Sequence, residues 1–173
     1  ALGRGERVLI FGTEPFASAR TNFQISLAGR TEGHLATFID ESSLMQGFPH
    51  SGFCSWQFRE MMNGGRSILL DLPMADYAPV IEIASAYKNA RREALVAEYR
   101  VGDGRLLVCG LNLRDDDPGA RWLKARILSY AASEQFDPET RLSFAELAIL
   151  TSLESISDVV NANAARNAND ITM

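Results

Sequence analysis

The sequence predicts a three-layer α/β sandwich of flavodoxin-like type, with a mainly parallel sheet and one antiparallel hairpin at an edge. Three observations predict it. Short apolar runs closed by glycine or proline, such as "RVLIFG" from Arg7 and "RSILLDL" from Arg66, have the composition of strands buried on both faces. Stretches with apolar residues at helical spacing alternate with these runs. Two β-rich runs, "EALVAEYRV" and "RLLVCGLNL", flank Gly102-Asp103-Gly104, a glycine-bearing turn of hairpin length. With 173 residues, 46% of them hydrophobic, the chain has enough apolar surface for one substantial core.

Taken in order, Ala1 to Glu6 reads as a linker and Arg7 to Gly12 as the first strand, its loop emerging at the carboxyl end. "TEPFASARTNFQISLAGR" has no clean periodicity and reads as a long loop or a broken helix. "LATFID", Leu35 to Asp40, is the second strand. "FCSWQFREMMNGG" turns helical and stops at Gly64-Gly65, glycine being the usual helix terminator. Arg66 to Leu72 is the third strand, closed by Pro73, and "PVIEIAS" from Pro79 a short fourth. The hairpin follows, its second run apolar on both faces and therefore inside the sheet. Asp117 is then the N-cap of a helix with Pro118 at its first position. Trp122, Leu123, Ile127, Leu128 and Tyr130 recur at helical spacing as its buried face. Residues 137–155 form an additional helical segment, and 156–173, rich in Asn and Ala, a polar tail.

Composition narrows the function. Seventeen basic against twenty-two acidic residues give a net charge of −5, and no Lys/Arg cluster forms a nucleic-acid footprint. No apolar run approaches the ~20 residues that span a bilayer. The two cysteines, Cys54 and Cys109, are too few to form a disulfide framework. The two histidines, His34 and His50, show no ligand spacing, so neither a metal nor a cofactor is expected. The N-terminus has neither an initiator Met nor a signal-peptide pattern and reads as a piece cut from a longer chain or a processed product.

"GFPHSGFCSWQF", Gly47 to Phe58, sets a cysteine four residues after a histidine. A nucleophilic cysteine on this kind of fold sits on a sharp elbow of the form G-x-C-x-G after a strand. Here Gly52 supplies the first glycine, Trp56 replaces the second, and Gly47 and Pro49 interrupt the run before it. Cys54, with His50 as base, is therefore set against the simpler reading of a small buried residue beside an aromatic anchor. Cys109, inside "LLVCGL", reads as core. Loops at strand ends hold the ligand-binding candidates Glu14, Asn112 and Asp115, the latter two also explained as turn former and helix-dipole partner. Trp56 is the candidate for stacking on a sugar ring. No GxGxxG or P-loop is present.

Together, "RVLIFGTEPF", "GHLATFID…LMQGFPHSGFCSWQF", "YRVGDGRLLVCGLNL" and "DPGARWLKARILSYA" resemble the class I glutamine-amidotransferase-like accessory domain of multidomain family 2 glycoside hydrolases, of β-galactosidase and β-glucuronidase type. The resemblance spans about Arg7 to Ala132, within an α/β domain drawn over residues 7–136. Amidotransferases carry an elbow cysteine and a late histidine-proline-glutamate motif. This chain lacks the elbow and reads "LNLRDDDPG" at the late position, so no catalytic residue carries over. The resemblance implies a non-catalytic accessory domain that supports packing, assembly or the substrate cleft of a carbohydrate-active enzyme. It implies the parent chain's other domains as partners, with carbohydrate and a second copy as further candidates, and export to the periplasm or the medium. Two rival readings are a stand-alone hydrolase or amidotransferase-like enzyme using Cys54 and His50, and an oligomerisation module.

Overall fold

The Gly102 hairpin stands at the centre of the sheet rather than at its edge. The computed structural model describes residues 1–23, 34–70, 77–85 and 91–152. Among these residues run seven strands: β1 (Arg7–Phe11), β2 (Ser18–Arg20), β3 (His34–Ile39), β4 (Arg66–Leu69), β5 (Ile81–Ser85), β6 (Arg92–Val101) and β7 (Gly104–Cys109). Three α-helices accompany them: α1 (Arg59–Asn63), α2 (Pro118–Ala132) and α3 (Phe144–Ser152). Short 3-10 turns cover Leu2–Arg4 and Trp56–Phe58.

β6 organises the sheet. Along one edge its second half pairs with β7, from Val96↔Cys109 to Val101↔Gly104, and its first half pairs with β4 at Ala94 and Glu93. Along the other edge it pairs with β5, and further on Arg100 bridges Arg141. β1 lies outside β7, β2 outside β4, and β3 outside β5. Between Val96 and Ala94 the register with β5 shifts, leaving Leu95 as the extra residue. The core records the same event: Ala94 faces one hydrophobic cluster and Val96 the other, although residues two apart on a regular strand share a face. Such a bulge bends and twists its strand.

The result is a curled, mostly antiparallel half-barrel, which overturns the flavodoxin-like expectation of a mainly parallel three-layer sandwich. Among the named strands only β1 and β7 run parallel. The physical reason lies in burial. Apolar runs such as that of β7 signal two covered faces, and the curled sheet supplies them without parallel order. Leu107 and Cys109 enter a cluster under α1 and α2, while Leu106 and Val108 enter a second cluster that receives Leu150 of α3. Parallel neighbours need crossover connections, usually helical, of a dozen or more residues. The five-residue α1 instead precedes an antiparallel strand.

Local signals held where they were local. Asp117 caps α2, its Oδ1 accepting from the amides of Gly119 (2.8 Å) and Ala120 (3.2 Å), with Pro118 at the first helical position. Leu123, Ile127 and Tyr130 form the buried face of that helix. Trp122 and Leu128, expected on the same face, remain 43% and 49% exposed. Gly102, with φ 59°, supplies the left-handed turn residue of the hairpin. β2 lies inside the stretch read as a loop or broken helix: Ser18-Ala19-Arg20 is too short and too polar for a pattern to betray it. The Leu2–Arg4 turn packs Leu2 against the second cluster. The expected tail at 156–173 lies outside the described residues.

Candidate functional site

β1 and β7 end side by side at Phe11 and Cys109, and the chain leaves them in two directions. Gly12, with φ 106°, turns one exit and donates its amide to the Cys109 carbonyl at 2.8 Å. On the other, Gly110 marks where β7 leaves β6 and β4 takes its place. The Gly110 amide donates to Leu95 O at 2.7 Å, and its carbonyl accepts from Arg66 N at 2.8 Å. The backbones meet so closely that a Cβ on Gly110 would lie 2.0 Å from the Arg66 carbonyl oxygen. Only glycine fits this seam.

Above the seam lies an open cleft of about 440 Å³, lined by Phe11, Gly64, Arg66, Asn112, Leu113 and Lys124 among others. Asn112, one of the four ligand candidates, is held there. Its backbone N–H donates to Met61 O at 2.9 Å, and its side chain lies over Gly64, where a Cβ would meet Nδ2 at 2.2 Å. Arg66 donates from Nε to Ser18 Oγ at 2.8 Å and from Nη2 to Ser18 O at 3.2 Å, so β2 fixes its base. Lys124 reaches the cleft from α2 and pairs with Asp115 Oδ1 at 3.0 Å. Asp115 itself is 81% exposed and outside the lining. Its neighbour Asp116 bonds Arg114, which holds the Asp116 carboxyl below the usual carboxylate range.

Trp56, 69% exposed, stands at the start of the 3-10 turn that leads into α1. Its ring meets Phe23 with centroids 5.2 Å apart. The Phe23 amide in turn donates to Asn63 Oδ1 at 2.9 Å, one residue before Gly64. The aromatic pair and the Asn112 cleft therefore flank the same short helix. Glu14 is exposed in the turn between β1 and β2 and does not line the cleft. Arg66 and Lys124 escaped sequence reasoning, because a strand start and a mid-helix lysine carry no pattern that points to a shared cleft.

Cys54 and His50 are held apart in role. The Cys54 amide donates to Thr37 Oγ1 at 2.8 Å, and the Ile39 amide donates to Gly52 O at 2.8 Å, so residues 52–54 lie along β3. Burial pushes the Cys54 thiol up to about 12, only partly offset by its Thr37 hydrogen bond. A nucleophilic cysteine needs the opposite shift. His50 Nδ1 accepts from the Gly52 amide at 3.2 Å, which occupies the lone pair a base on that nitrogen would use. The Cys109 thiol, fully buried in the core, is likewise pushed up to about 12, with a Leu111 backbone hydrogen bond opposing. Among the described residues, no group of three His, Cys, Asp or Glu side chains is placed to hold a metal, and no helix is long and apolar enough to cross a membrane.

A family model described as "Domain of unknown function (DUF8487)" matches residues 2–152. No curated protein matches the chain.

Proposed function

The chain belongs to the DUF8487 family of domains of unknown function, and we propose that it is a non-catalytic module that contacts carbohydrate within a larger carbohydrate-active enzyme. One observation carries this reading: an exposed Trp56, paired with Phe23, flanks α1 on the way to a cleft edged by an amide and two cationic side chains. Sugar rings present C–H faces suited to an indole and hydroxyls suited to Asn, Arg and Lys donors. The rival Cys54–His50 enzyme is disfavoured, because a thiol pushed up to about 12 is overwhelmingly protonated at neutral pH. Placement beside a family 2 hydrolase barrel rests on the sequence resemblance alone, whose fold implication the half-barrel overturns.

The test is a calorimetric titration of the chain with a panel of oligosaccharides, repeated with Trp56→Ala. Saturable binding that weakens by about ten- to a hundredfold in the variant, the loss typical of an interfacial Trp anchor, supports the reading. The exposure of Trp56 keeps the variant folded, which an unchanged melting curve verifies. Failure of every saccharide to bind refutes it.

A further inference from the structure

Resting on the carbohydrate reading of the same cleft, we propose that its ligand carries a negative charge: a carboxylate or sulfate ester on the saccharide seats between Arg66 and Lys124, with Asp115 holding Lys124 until it arrives. The chain as a whole is acidic, with a net charge of −5. The cleft departs from that balance. Its ionisable lining groups are Arg66 and Lys124, and no carboxylate joins them. Two cationic residues lining one open concavity bias it toward positive potential inside a negative molecule, the arrangement that concentrates anions.

Each cation has capacity left for a ligand. Ser18 takes Nε and Nη2 of Arg66, which orients the guanidinium and leaves Nη1 outside those bonds. Carboxylates and sulfates match a guanidinium edge through charge-assisted hydrogen bonds. Lys124 has three donors, one of them engaged by Asp115 at 3.0 Å. With Asp115 81% exposed, this ion pair is weak and easily exchanged. Asp115 therefore presents to Lys124 the same chemical group that an acidic sugar would bring, on a side chain free to swing away. The Asn112 amide, seated over Gly64, remains for a neighbouring hydroxyl.

The experiment titrates the chain with four probes: a uronate oligosaccharide, a sulfated oligosaccharide, a neutral oligosaccharide of matched length, and sodium sulfate. It is repeated with Lys124→Gln, Asp115→Asn and Asp116→Asn. Lys124→Gln leaves the Arg66–Ser18 contact across β2 and β4 intact. The two aspartate variants change net charge equally, but only Asp115 pairs with Lys124. The expected result is at least about tenfold tighter binding of a charged probe than of the neutral one, as charge-assisted hydrogen bonds imply. That preference falls in Lys124→Gln, rises in Asp115→Asn and is unmoved in Asp116→Asn. The uronate and sulfate arms identify which charged group is preferred. Equal binding of neutral and charged oligosaccharides overturns this inference while leaving the carbohydrate module standing. Sulfate binding with the same variant pattern, but no saccharide binding, supports the anion seat and overturns the carbohydrate reading. No binding of any probe overturns both.

Discussion

Replacing Gly110 by alanine drives a methyl group into the seam between β7 and β4. The added Cβ would lie 2.0 Å from Arg66 O and 3.0 Å from Thr13 Cγ2. The nearer atom belongs to the backbone, so relief requires β4 to shift by about 1 Å or more before carbon and oxygen reach ordinary contact. That shift strains or breaks the 2.8 Å bond from Arg66 N to Gly110 O. Overpacking costs about 1–3 kcal/mol and the lost hydrogen bond about 1 kcal/mol. The sum, about 2–4 kcal/mol, lowers the melting temperature by roughly 5–15 °C for a domain of this size. Urea denaturation followed by circular dichroism measures it. Gly3→Ala is the control, because the nearest atom to its Cβ would be Phe144 Cζ at an ordinary 3.8 Å. A Gly110→Ala protein within about 0.5 kcal/mol of the parent would refute the close-approach argument, and with it the seam that underlies the cleft.

Three further outcomes follow from buried polar groups. Glu93, 5% exposed at its side chain, is held by Arg91 at 3.0 Å and by the Ser67 hydroxyl at 2.6 Å; Arg91→Ala strands the charge and costs about 3–5 kcal/mol, and a loss below about 1 kcal/mol in denaturant melts contradicts this. Burial raises the Glu98 carboxyl above its ordinary 4.5 despite the opposing hydrogen bond from the Tyr130 hydroxyl. Its contribution to stability is thus fully present below pH 4.5 and is lost as pH rises through the folded-state value. Glu98→Gln should therefore gain relative to the parent as pH climbs above 4.5; a flat difference across that window rules the assignment out. Both thiols are pushed up to about 12, so iodoacetamide at pH 8 should label Cys54 and Cys109 only once denaturant is added. Rapid labelling of the folded chain by mass spectrometry would reopen the nucleophile reading.

What was legible in the sequence was what a few neighbouring residues decide. The Gly102 turn, the Asp117–Pro118 helix start and the positions of β1, β3, β4, β5, β6 and β7 all rest on short-range chemistry. Strand direction does not. "RVLIF" is equally apolar whether its neighbour runs parallel or antiparallel, and apart from the antiparallel hairpin itself only the β1–β7 pair adopts the expected sense, parallel. The bulge at Leu95 has no residue signature either, since "EALVAEY" reads as an unbroken strand. Trp122 shows the limit of periodicity: it rests against Phe48 with ring centroids 5.4 Å apart, yet the edge of the core leaves it 43% exposed. Of the cleft, Asn112 was visible because it follows a strand end. Arg66 and Lys124 were not, because the sheet's path from β7 to β4 and the placement of α2 bring them there.

The central place of β6 also sets an order of assembly. Its partner β7 is joined through Gly102 and Asp103, so this hairpin closes with little loss of chain entropy. β1, by contrast, docks on β7 with Arg7 opposite Arg105, a contact between residues roughly a hundred positions apart, of the kind that slows folding. A nascent chain therefore holds β1 without this partner until Gly104–Cys109 has been synthesised. Since Phe11 of β1 and the Gly12 that follows it line the cleft, that wall of the cleft forms in the same docking event that adds β1 to the sheet.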